Sequence, residues 1–162
     1  MSTMLDYNLV GLVKELQKEF RIQDWDIEIR IVNSNQLLNQ GLKASVQGLC
    51  TADRNHGDVL IELNKDHQDN QIAVGSEFIG QGWFYALIHE MIHIIIDPLA
   101  ENVEELLKNI NEEQNENLSK TFEIKQERLT NHFMKILVPM IDVDWLLNKH
   151  KKEAINESKE TK

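Results

Sequence analysis

The stretch ALIHEMIHIIID, residues 86 to 97, sets His89 and His93 four residues apart, with Glu90 beside the first, in the most apolar part of the chain. On a helix, four residues turn through about 400°, so the two imidazoles stand on one face, a turn apart. Two nitrogen donors so placed suit a divalent metal, zinc above all, which takes tetrahedral ligands and in catalytic sites leaves one position open for water. Glu90, about 100° further round the helix, is placed to take a proton from that water. Shuffling this composition would produce H-E-x-x-H roughly 0.02 times, which makes the pattern a signal rather than an accident. Trp83, Phe84, Leu87, Ile88, Met91, Ile92, Ile94 and Ile95 cover most of the remaining circumference, and a helix apolar nearly all round is a buried one. Polar groups on such a helix need partners, and a metal supplies them. The plainer alternative is two core histidines bonded to carbonyls, with Glu90 in an ion pair.

A third ligand has to come from elsewhere. The extended metzincin motif would need Gly at 96 and His at 99, where this chain has Ile96 and Leu99. Downstream, TFEIKQERLTNHFMKILVP offers Glu123, Glu127 and His132. Helical spacing gathers Lys125, Arg128, His132 and Lys135 on a solvent ridge, and Phe122, Leu129, Phe133, Ile136 and Leu137 on a core face. Glu127, Asn131, Met134 and Val138 form a second inward line. Glu127 is therefore the leading third ligand, with Glu123, about 40° away, in reserve; the alternative for Glu127 is a surface acid paired with a lysine. Asn131, one turn beyond Glu127, can brace a ligating imidazole from behind.

The pair HEMIH and ERLTN resembles the gluzincin metallopeptidases, and ERLTNHFMKILVP is similar to the E-x-x-x-N-x-F…L-x-P signature of the ImmA/IrrE-like family, small intracellular zinc peptidases of phages, mobile elements and bacteria. The resemblance covers roughly residues 83 to 139. It implies Zn²⁺ held by His89, His93 and Glu127, with Glu90 activating the zinc-bound water for site-specific cleavage of an intracellular protein partner. The competing reading is a catalytically silent zincin-fold binding or regulatory protein with a structural zinc. Retention of Glu90 favours the enzyme, because a structural site needs no base.

Peptide hydrolysis also wants a donor to the oxyanion. Tyr85, one turn before His89, is a candidate, and reads equally as a core tyrosine with a bonded hydroxyl; His132 and His56 are weaker ones. Asp97, four after His93, is placed to accept a bond from a ligating imidazole, or simply ends the helix before Pro98. Cys50 reads as a small buried apolar residue outside the metal set.

These residues have to be carried by elements. Apolar spacing over residues 4 to 20 predicts an amphipathic helix. DWDIEIRIV alternates as a half-buried strand, and SVQGLCTA and GDVLIELN read as two more, joined by the turn-rich DRNHG. The polar run 65 to 82 reads as a long loop. Helices follow at 83–97, roughly 99–112 and 117–138, then the short apolar segment MIDVDWLL. The acidic stretch between the two ligand-bearing helices, residues 98 to 120, reads as a solvated helical arm, or as a lid or docking surface. The sum is an α+β domain: a helix, a small antiparallel sheet of about three or more strands, then the active-site helix and others. By analogy with zincins, residues 57–63 are the candidate edge strand for a peptide. Residues 1–149 are expected to form one domain and 150–162 a charged, frayed tail.

The bulk properties agree with a globule of one domain: 162 residues, 41% hydrophobic, 27% charged. A net charge of −10 argues against a nucleic-acid surface, and with it against a DNA-associated metallopeptidase of the SprT-like kind. No apolar run reaches membrane-spanning length, and MSTMLDYNLV lacks the pattern of a secretory signal. With one cysteine no intrachain disulfide can form, so a reducing cytoplasm is the expected setting. The expected partner is a protein or peptide substrate; oligomeric state is not legible.

Overall fold

Alternating isoleucines and charges do form a strand in the computed structural model: β1, Asp26–Val32, exposes Asp26, Glu28 and Arg30 and packs Ile27, Ile29 and Ile31 against the core. The structure describes residues 3–69, 71–74, 77–108 and 112–160, with side chains described at 3–69, 82–108 and 116–151. Ahead of β1, a 3₁₀ turn at Met4–Asp6 precedes helix α1, Leu9–Phe20. The Asn8 side chain caps α1 by accepting from Gly11 N–H, and Arg21 ends it in the left-handed conformation. Leu12, Val13 and Leu16 form its buried stripe.

Between β1 and the next strand lies a short helix not anticipated from sequence, α2, Ser34–Asn39. Its signal was present: Asn33 and Gln36 cap each other's backbone N–H groups reciprocally. Strand β2, Gly48–Asp53, and strand β3, Asp58–Asn64, pair as a hairpin whose turn uses Gly57 at φ 72°. The sheet order is β1-β3-β2, with β1 and β3 parallel and β2 and β3 antiparallel. The expectation of an all-antiparallel sheet is thus corrected to a mixed one. The chain leaving β1 through α2 enters β2 antiparallel to β1 at the outer position, and the β2–β3 hairpin then reverses it into the gap between them, parallel to β1. The expected edge strand is corrected too: β3 is central, and β2 is the outer strand, packed beside the helix that carries His89 and His93.

The run expected to be loop contains a 3₁₀ turn, Lys65–His67, and a second antiparallel pair, β4, Gln71–Val74, with β5, Glu77–Gln81. Helix α3, Gly82–Leu107, carries the H-E-x-x-H motif through the middle of the molecule. Its Leu87, Ile88, Met91 and Ile92 are completely buried, at about 1.5–3 kcal/mol each. It was expected to stop before Pro98, and instead runs through it. A proline within a helix costs about 3 kcal/mol; burial of Ile94, Ile96 and Ala100 around it offsets that cost. Helix α4, Glu112–Leu137, packs along α3, so the expected arm is the far end of this helix pair, with residues 109–111 outside the described residues. Helix α5, Val143–Glu160, carries helical structure through the expected tail, and its His150 is buried against α1. The architecture is α+β. Among the described residues no helix is long and apolar enough to cross a membrane.

Candidate metal centre

His89 and His93 leave α3 on the side facing α4, where Glu127 reaches across to both. Glu127 Oε2 lies 3.3 Å from His89 Nε2, and Oε1 lies 3.2 Å from His93 Nε2. The two Nε2 atoms are 3.3 Å apart. Among the described residues these three form the group of His, Cys and carboxylate donors lying within 4.8 Å of one another. The spacing suits a metal. Ligands at about 2.0–2.1 Å from a tetrahedral zinc stand roughly 3.3–3.4 Å from each other. The donor set, two imidazole nitrogens and a carboxylate, is also zinc's own chemistry.

The backs of both rings are addressed. Thr130, fully buried on α4, places Oγ1 3.5 Å from His93 Nδ1, while its hydroxyl donates to the Gln126 carbonyl oxygen. That oxygen can accept from Nδ1–H, which leaves the Nε2 lone pair directed at the centre. Behind His89, the buried Nδ1 and the buried Asn131 Oδ1 have no hydrogen-bond partner among the described residues, and the nearby Asn131 favours the protonated ring.

Charge follows this geometry. The two imidazoles hold the Glu127 carboxyl far below the usual carboxylate range, although its side chain is half exposed. On His89 burial, the largest influence, opposes the charge, yet Glu127 and Glu90 together raise its pKa. The interaction therefore shows more strongly on the half-exposed glutamate than on the buried histidine. Glu90 is buried, and its pKa is raised by that burial.

A cleft of about 790 Å³ opens over the centre, between α3 and the outer strand β2. His89, Glu90, His93, Glu127 and Asn131 all line it. Cys50 lines it as well, outside the three-donor cluster; burial, with Glu90 and Asp97 nearby, pushes its thiol up to about 12.

Other expected residues lie elsewhere. Tyr85 packs edge-on to Phe84 against the core and is not part of the cleft lining. Glu123 and His132 are exposed on α4, and His56 is exposed beside Asp53. Asp97 accepts a two-pronged bond from Arg54 at 2.8–3.0 Å instead of bracing an imidazole. Arg54 also donates to Glu104, so it ties the β2–β3 turn to two points on α3. Thr130, Gly48 and Arg54 were not singled out from sequence. For Thr130 a signal existed, since it stands in the ERLTN run that carries Glu127 and Asn131.

Comparison with protein-family models, curated proteins and solved structures returns no match for this chain.

Proposed function

We propose that this chain is a zinc-dependent peptidase that cleaves a protein or peptide partner in the cytoplasm. The observation that carries the reading is the convergence of His89, His93 and Glu127 at 3.2–3.3 Å, with the buried Glu90 carboxyl in the same cleft. The resemblance of HEMIH and ERLTN to gluzincins, and of the longer stretch to the ImmA/IrrE-like family, supports it. The single free cysteine suits a reducing compartment.

Zinc held by these three residues would polarise a peptide carbonyl and make a nucleophile of water at neutral pH. The chain's own residues would do the rest. Glu90 accepts the proton of the attacking water and passes it to the leaving amine, a task suited to a carboxyl whose pKa burial has raised. Thr130 and Asn131 hold the imidazole rings in orientation. An extended peptide in the cleft would lie along β2, the outer strand.

A second reading, a catalytically silent zincin-fold binding protein with a structural zinc, draws on one observation: Tyr85, the candidate oxyanion donor, does not line the cleft.

The test is zinc content and cleavage of a mixed peptide library by wild type, Glu90→Gln, His93→Ala and Glu127→Ala. About one zinc in wild type and Glu90→Gln but little in the other two, with cleavage by wild type alone, is expected. Zinc without cleavage would favour the silent protein. No zinc in reloaded wild type would leave a polar island in the core.

A further inference from the structure

We propose that Gly48 is a positioning residue for Glu90, and that the outer edge of β2 is the seat in which the Glu90 carboxylate is held. The inference rests on Glu90 being the base of the reaction put forward above. A Cβ placed on Gly48 would lie 2.7 Å from Glu90 Oε1, 2.9 Å from its Cγ and 3.1 Å from its Cδ. Packed atoms do not tolerate such approaches, so any side chain here displaces either the carboxylate or the strand.

Backbone freedom does not explain the glycine. Among the described residues the glycines with positive φ are Gly41, Gly57 and Gly82, whereas Gly48 pairs in register opposite Leu63. What Gly48 supplies is the volume of one methyl group, and Glu90 fills it.

A second contact comes from the same strand. The Cys50 backbone N–H donates a hydrogen bond to the Glu90 carboxyl. Residues two apart on an antiparallel strand direct their backbone groups to the same side. Since β2 is the outermost strand, Gly48 and Cys50 together present their edge to α3 rather than to another strand. A glutamate has three side-chain torsions. Wedged against one backbone position and bonded by another, with 7% of its surface exposed, it keeps few of its rotamers. That restriction is what a base needs in order to stay within hydrogen-bond reach of the proton it abstracts.

The test is a double-mutant cycle on the full chain, melted with zinc and without added metal, together with kinetics on a peptide cut from the mixed library. Gly48→Ala is expected to lower the melting temperature by several degrees, but to change it little in a Glu90→Ala background, where the space is open. Zinc content should stay at the wild-type level, because His89, His93 and Glu127 are untouched. Meanwhile kcat should fall roughly 10- to 100-fold with KM unchanged.

Equal destabilisation in both backgrounds overturns the seat, and kcat unaffected by Gly48→Ala overturns its positioning role. If Gly48→Ala does not fold, a folded Gly48→Ala/Glu90→Ala chain demonstrates the same coupling, and failure of both overturns it. A wild type that cuts nothing in the library counts against the peptidase reading instead, and the melting cycle still decides the seat.

Discussion

Thr130 closes a short chain of contacts behind His93: ring nitrogen, hydroxyl oxygen, then the Gln126 carbonyl. Thr130→Val keeps the shape and removes the oxygen. It is expected to weaken zinc binding about tenfold while the fold persists, with Thr130→Ser close to wild type; competition with a chromophoric chelator measures both. A second prediction concerns the metal-free protein. Glu127→Gln removes the carboxylate that favours the His89 cation but leaves the burial that opposes it. The His89 pKa should therefore fall, as read by NMR titration of the ring. The same pair makes metal-free stability depend on pH. The contribution of Glu127, whose pKa is lowered on folding, is present above the ordinary glutamate value of about 4.3 and fades as pH drops through its folded value. That of His89, whose pKa is raised, is full below about 6.5 and is lost as pH climbs through its folded value. Metal-free stability should thus be highest between those limits, and urea melts across the range would show it. At this scale the sequence told most where helical spacing alone decides neighbours: His89, Glu90 and His93 within α3, Glu127 and Asn131 within α4. It told least where partners come from different elements. Asp97 looked like a brace for His93 because only its own helix was visible; Arg54, which claims it, lies 43 residues away in the chain.

At the scale of elements, Arg54 is a clasp between the β2–β3 turn and α3, bridging the two walls at one end of the cleft. Arg54→Met leaves Asp97 buried without its partner, and a loss of about 2–3 kcal/mol in urea unfolding is expected, with part of it recovered in Arg54→Met/Asp97→Leu. Pro98 bears on the same helix. Because α3 passes through it, Pro98→Ala restores a missing donor without altering the path, and should stabilise the chain by roughly 1–2 kcal/mol once the greater freedom of the unfolded state is allowed for. The elements were legible where periodicity was clean, as in α1, β1, β2, β3 and the motif helix. Pairing was not, because period-2 alternation identifies a strand without saying which neighbour it takes. The central place of β3 depends on where the chain passing through α2 returns, and no local pattern records that. Pro98 misled for a related reason: helix propensity is local, whereas the apolar contacts that carry α3 past it come from the rest of the core.

For the molecule as a whole, the His89–His93–Glu127 cluster joins two 26-residue helices whose connection lies far along the chain from it. Zinc binding to the folded chain should raise the melting temperature in proportion to the logarithm of free zinc, and a chelator should reverse the rise. Glu127→Ala should abolish the zinc-dependent part and keep the rest, which differential scanning calorimetry would separate. The cleft itself rests on β2 lying close to α3, and Cys50 sits on the wall between them. With its thiol pushed up to about 12, almost none is thiolate at neutral pH, and thiolate is the form that reacts with an alkylating agent. Any event that draws the strand from the helix returns the thiol toward its ordinary value of about 8.5, raising the reactive fraction by roughly a thousandfold. The alkylation rate of this lone cysteine is therefore expected to report how often the two walls part, with no label added and no substrate known.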